Sequence, residues 1–198
     1  MLNDLVIKDA LRYLGAKGED NSSRALLERV YSEYKEVFLP HQVTAFYPLE
    51  DDSPYLTFSG CEIVLDGESI RHHFAGATEG LFSAFTLGIA FDRKVRELSL
   101  TRPTESVALN ALGSAYAERK ADELLRKVRD EKEAQGFTTT FRFCPGYGDL
   151  PLETNRMIVS ALDATKKIGL IVTESGLLQP MKSIVGVTAC RPVKEVRI

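Results

Sequence analysis

Two periodicities divide the chain. Residues 3–14 and 21–38 place apolar side chains at three- and four-residue intervals, the spacing of amphipathic helices. The second of these opens on Asn21-Ser22-Ser23, which suits a helix N-cap, and ends before Pro40. From His41 the pattern changes to short apolar runs broken by turn residues. Val43–Tyr47, Tyr55–Phe58 and Glu62–Leu65 are predicted as strands, with Asp66-Gly67 as a hairpin turn. Leu81–Leu87, framed by Gly80 and Gly88, is predicted as a buried strand followed by a helix over Phe91–Leu100.

The strongest helical signal covers Thr104–Gln135, with Gly136 as its stop. At 1.5 Å per residue it would be about 48 Å long, the spine of a domain. Thr138–Phe143 is a β-branched and aromatic strand. A glycine turn follows, then a helix from Pro151 to about Lys167 with Asp149 or Leu150 as its cap, ended by Gly169. Leu170–Thr173 and Ser183–Ala189 complete the pattern as strands. Strands come in groups and do not alternate strictly with helices. The expectation is an α+β fold, a mixed or antiparallel twisted sheet packed with a long central helix.

Composition narrows the classes of partner. Hydrophobic residues make up 44% and charged residues 27% of 198, enough for a packed core without disulfides or a structural metal. The formal net charge of −3 offers no surface for neutralising phosphates, so no nucleic-acid partner is expected. Met1–Ile7 carries Asp4 and no long apolar run, and nowhere do eighteen apolar residues run together. Neither a signal peptide nor a membrane span is expected. Cys61, Cys144 and Cys190 are odd in number and far apart, which fits reduced thiols and a cytoplasmic location.

The segment Phe141–Glu153 holds the best candidate chemistry. It reads as a strand ending at Arg142, a turn with Gly146 and Gly148, and a helix start. Such a turn lets a ligand approach backbone amides, and the planar fork of Arg142 suits a carboxylate. Tyr147 adds a ring and a hydroxyl. A structural turn with a surface arginine fits the same spacing. On the long helix, Val107, Ala111, Ser114, Ala115 and Leu125 define one face that also contains Glu118, with Asp122 one turn further on. A carboxylate there is paired with a nearby Arg or Lys, bound to a ligand, or at a wet helix edge. Cys144 reads as a small apolar filler. His41, His72 and His73 lack helix-spaced partners, so no metal site is expected.

The order Arg142-x-x-x-Gly146-Tyr147, with Pro145 inside it, resembles the S-adenosylmethionine-binding signature of the activation domain of cobalamin-dependent methionine synthase. The similarity runs over Ala108–Pro192, taking in the long helix, Thr173-Glu174-Ser175, the turn at Pro180 and the strand around Gly186. Gly148-Asp149-Leu150 and the N-terminal third depart from the family pattern.

The resemblance implies that Arg142 binds the methionyl carboxylate, that Cys144, Pro145 and Gly146 contact the adenosyl part, that Tyr147 faces cobalamin, and that Glu118 meets the methionyl amino group. It implies one activation-type domain over residues 1–198, with a helical segment at 1–40 and an S-adenosylmethionine-binding core at 41–198. No Asp-x-His-x-x-Gly string is present, so cobalamin is expected on a separate methionine synthase subunit, with flavodoxin or a ferredoxin as electron donor. The expected function is that of a stand-alone reactivation subunit, which supports reductive methylation of cob(II)alamin. A non-catalytic module that binds a corrinoid or methyltransferase partner is the alternative. A Rossmann methyltransferase is disfavoured, because too few strands follow the glycine turn.

Overall fold

The computed structural model describes residues 3–16, 20–52 and 54–193. Helix α1, Asp4–Tyr13, is capped by the Asn3 side chain, which accepts the Leu5 N–H. Helix α2, Asn21–Tyr34, is capped by Asp20, whose carboxylate accepts from the N–H groups of Ser22 and Ser23. The cap therefore lies one residue before the predicted Asn21–Ser23, because only Asp20 has the extended backbone a cap requires. The helix also stops at Tyr34, four residues earlier than expected, and a 3-10 turn Lys35–Val37 leads into the sheet.

Six strands form one antiparallel sheet. They are β1 His41–Asp51, β2 Leu56–Phe58, β3 Val64–Leu65, β4 Glu79–Thr86, β5 Phe137–Thr139 and β8 Ser183–Pro192, in the spatial order β3-β2-β1-β4-β8-β5. Between β4 and β5 lie α4, Ile89–Thr101, and α5, Pro103–Ala134. Strands β6, Ile171–Val172, and β7, Leu178–Gln179, pair in a separate ribbon. The architecture is the α+β arrangement with a long central helix that the sequence predicts.

Helices cover both faces of the sheet. Side chains alternate along a strand, so Phe85, Leu87 and Ile184 join α1, α2, α4 and α5 in one core. Phe82, Ala84, Val185 and Val187 join α3, Glu68–Phe74, and α6, Thr154–Ala161, in the other. Each fully buried Phe or Leu there contributes about 1.5–3 kcal/mol. Gly113 lets α5 approach α4 closely, since a Cβ at that position would lie 2.2 Å from Cζ of Phe91.

Other expectations are corrected as well. Asp66-Gly67 is not a hairpin turn. Strands β2 and β3 pair across residues 59–63, and Gly67 instead begins α3, a helix the pattern missed. The helix expected over Pro151–Lys167 is two, α6 and α7 (Ala164–Ile168), broken where Asp163 takes a left-handed φ of 51°. Pro151 precedes α6 and Asp149 does not cap it; Glu153 is the residue before its first turn. Finally, the run Thr138–Phe143 pairs with β8 only as far as Thr139 and then rejoins it through a single bridge between Phe143 and Val187. Among the described residues no helix is long and apolar enough to cross a membrane.

Candidate functional site

Arg142 lies between β5 and the Phe143–Val187 bridge, at the edge of β8. Its aliphatic stem crosses Gly186. A Cβ on Gly186 would stand 2.5 Å from Cγ of Arg142, so only glycine leaves room for the stem to pass toward α5. There Nη2 of Arg142 donates to Oε2 of Glu118 at 2.6 Å, and Nη1 lies 3.4 Å from Oδ1 of Asp122. The Arg142 side chain is only 10% exposed, whereas Glu118 is 48% exposed. Among the described residues Nε and Nη1 are buried without a hydrogen-bond partner, since the approach of Asp122 is close enough for charge attraction but lacks hydrogen-bond geometry. Buried guanidinium donors of this kind are costly to leave unfilled.

These contacts correct the helix face drawn from the sequence. Val107 is 59% exposed, and the inner face is Ala108, Leu109, Ala111, Leu112 and Ala115. Glu118 sits at the edge of that face, half exposed, and the ion pair left open by the sequence is formed with Arg142 itself.

The glycine turn follows the bridge. The Tyr147 N–H donates to Cys144 O, the Leu150 N–H to Tyr147 O, and the Gly146 N–H to Leu150 O, closing a compact loop. Gly146 and Gly148 take φ of 92° and 53°, which favour residues without a Cβ. Cys144 lies against Arg142 and Tyr147, and burial pushes its thiol pKa upward. Tyr147 stays exposed, its ring set against Phe143.

Glu118, Cys144, Pro145 and Tyr147 line a cleft of about 440 Å3 together with Leu152, Asn155, Leu178 and Val185. That volume lies in the range of about 300–1,000 Å3 typical of small-molecule clefts. Arg142 reaches the cleft through Glu118 and Cys144 and is not itself part of the wall. Gly146 belongs to the turn and is likewise outside the lining.

Asn155 was not singled out by the sequence. It is buried on α6, and its Nδ2 donates to Gly176 O at 2.9 Å, which ties the helix to the β6–β7 turn. No local pattern marked it, since Thr154 beside it on the same helix is also polar and buried. Met181 and Ser183 also line the cleft, and Asp92 holds the Met181 N–H at 2.7 Å. Thr173-Glu174-Ser175 forms the β6–β7 turn outside the cleft, where Arg156 binds the carbonyls of Thr173 and Glu174.

The histidines lie elsewhere. His73 is buried, with Nε2 2.7 Å from Oγ1 of Thr140, and burial pushes its pKa down to about 4. Among the described residues no group of three His, Cys, Asp or Glu side chains could hold a metal ion.

No family model matches this sequence, and no curated protein matches it. Among solved structures the chain is similar to the crystal structure of the MetH reactivation domain bound to AdoHcy. The TM-score is 0.69 at 18% sequence identity, over 91% of this chain and 69% of that one. The likeness is one of fold: the six-stranded antiparallel sheet and the long central helix are those of the reactivation domain.

Proposed function

We propose that this chain binds S-adenosylmethionine in the cleft beside Glu118 and Arg142 and supports reductive reactivation of cobalamin. The observation that carries the reading is Arg142, nine-tenths buried beside the cleft, with Nε and Nη1 unfilled and a half-exposed carboxylate on Nη2. A cation with spare donors next to an anion with spare acceptors is complementary to a zwitterionic amino acid. Because these donors are buried behind the cleft wall, the Arg142 side chain must shift toward the cleft for the ligand carboxylate to take them, while the ligand ammonium group takes Glu118. The apolar walls at Pro145, Leu152, Leu178 and Val185 suit an adenosyl moiety.

Bound S-adenosylmethionine supplies a sulfonium methyl group, and the corrinoid that accepts it is held by a separate methionine synthase subunit. The chain's own contribution is positioning: Arg142 and Glu118 fix the amino acid end, and the Cys144–Tyr147 turn presents the reacting end. Residues 1–198 act as one activation-type domain, in the cytoplasm, with flavodoxin or a ferredoxin as the electron source.

The test is reductive methylation of a cobalamin-loaded methionine synthase subunit, with reductant and S-adenosylmethionine supplied. Wild type supports the reaction, and Arg142→Ala lowers its rate at least about tenfold, the equivalent of one lost charge-assisted contact. Equal rates with and without the chain would overturn the reading. A non-catalytic partner-binding module is the second reading. It is favoured by one observation: Glu118 and Asp122 already neutralise Arg142.

A further inference from the structure

The Gly148-Asp149-Leu150 segment has a structural partner 80 residues away. Helix α3 begins after Gly67, which has no side chain with which to cap it. Its first N–H groups therefore need acceptors from elsewhere. Asp149 supplies them: Oδ2 accepts from the Glu68 N–H at 2.6 Å and Oδ1 from the Ser69 N–H at 3.0 Å. These two bonds hold the Asp149 carboxyl below its ordinary range.

The fit is close from both sides. A Cβ on Gly67 would lie 2.8 Å from Oδ1 of Asp149, and a Cβ on Gly148 would lie 2.5 Å from Oγ of Ser69. Beside Asp149, Leu150 is buried, and it exchanges backbone hydrogen bonds with Gly146 and Tyr147. The chain from α3 to the cleft wall is thus Glu68 and Ser69, Asp149, Leu150, and then the Cys144–Tyr147 turn. A second tether runs parallel to it, since the ring of His73 on α3 packs against Phe143 at 5.0 Å.

We propose that Asp149 is a positioning residue. By clamping the start of α3 it holds the Cys144–Tyr147 turn in the shape that faces Glu118 and Arg142. It touches no ligand. Its effect on affinity rests on the S-adenosylmethionine reading, but its effect on the turn does not.

The experiment compares full-length wild type with Asp149→Ala by amide hydrogen exchange without ligand and by calorimetric titration with S-adenosylmethionine. Exchange at residues 144–150 and at Glu68 and Ser69 should rise about tenfold or more, while β8 amides stay protected as in wild type. The Kd should rise about tenfold, because the ligand must now order the turn. Asp149→Asn, which keeps one acceptor and turns an NH2 donor toward the other N–H, should fall between wild type and Asp149→Ala in both readouts. Gly67→Ala breaks the same joint from the α3 side and should reproduce the loosened turn, so the proposal stays testable if Asp149→Ala does not fold.

Unchanged exchange over 144–150, or loosening spread evenly into β8, would overturn the proposal. So would a loosened turn with an unchanged Kd. Absence of binding in wild type, with the local loosening present, would sink the S-adenosylmethionine reading and still support the clamp.

Discussion

Replacing Gly186 by alanine puts a methyl group where the Arg142 stem runs. The new Cβ would stand 2.5 Å from Cγ and 3.0 Å from Cδ of Arg142, and 3.0 Å from the backbone oxygen of Phe143. None of these is the free end of a flexible side chain. The Phe143 carbonyl is held by the Val187 N–H at 2.9 Å, so the arginine must yield. Overpacking of this kind costs about 1–3 kcal/mol. The Glu118 pair lost with it adds about 1 kcal/mol or less, because Glu118 is half exposed and screened. A total of about 1–4 kcal/mol lowers the melting temperature by about 2–16 °C in a chain of this length. Thermal unfolding by circular dichroism reads that shift, and titration with S-adenosylmethionine well below the melt reads the site. Affinity should fall at least about tenfold, since the guanidinium no longer points at Glu118. A variant that melts within about 1 °C of wild type and binds as tightly would show that the stem does not depend on Gly186.

Gly113→Ala tests packing away from the site. Its Cβ would meet Cζ of the fully buried Phe91 at 2.2 Å, and the overpacking cost of up to about 3 kcal/mol exceeds the gain of about 1 kcal/mol in helix propensity. The melt should drop while the affinity measured on folded protein stays as in wild type; a rise in melting temperature would contradict the close α4–α5 contact. His73 is buried and neutral, with its pKa lowered from 6.5 to about 4, so below pH 6.5 the unfolded chain binds the extra proton. Stability should therefore fall between pH 6.5 and 4 by up to about 3 kcal/mol from this group, and the slope should flatten in His73→Gln in urea titrations across that window. Identical slopes would place the ring in water. Glu79 and Lys132 form an ion pair with side chains 19% and 12% exposed, and Lys132 also lies over the rings of Phe46 and Phe137. Glu79→Gln strands the ammonium group and should cost about 3 kcal/mol in a urea melt, with the double variant Glu79→Gln/Lys132→Met recovering most of it; equal costs for the single and double variants would argue against the pair.

How far the sequence could be read depended on whether each element carries its own signals. Helix α5 does, with 32 residues at helical spacing, a proline at its start and Gly136 behind it, and it was placed within a residue at each end. Helix α3 does not. It has seven residues, a glycine where a capping side chain is usual, and its cap comes from Asp149, which no local pattern reveals. The break at Asp163 was hidden for a similar reason, because an aspartate in left-handed backbone leaves neither glycine nor proline to mark it.

Of the candidate site residues, Arg142, Cys144, Pro145 and Tyr147 stood out because they share one short string, and Glu118 because the family resemblance supplied it. That Arg142 binds Glu118 and Asp122 was beyond the string, since it depends on the path across Gly186. Asn155 escaped because its partner, the Gly176 carbonyl, is a backbone group 21 residues away.

The most direct test of the central claim is a calorimetric titration of the purified protein with S-adenosylmethionine, wild type beside Arg142→Ala. A ligand amino acid held by Arg142 predicts saturable binding by wild type, abolished or weakened at least about tenfold by the substitution. No binding by folded wild type, or equal binding by both forms, would contradict it.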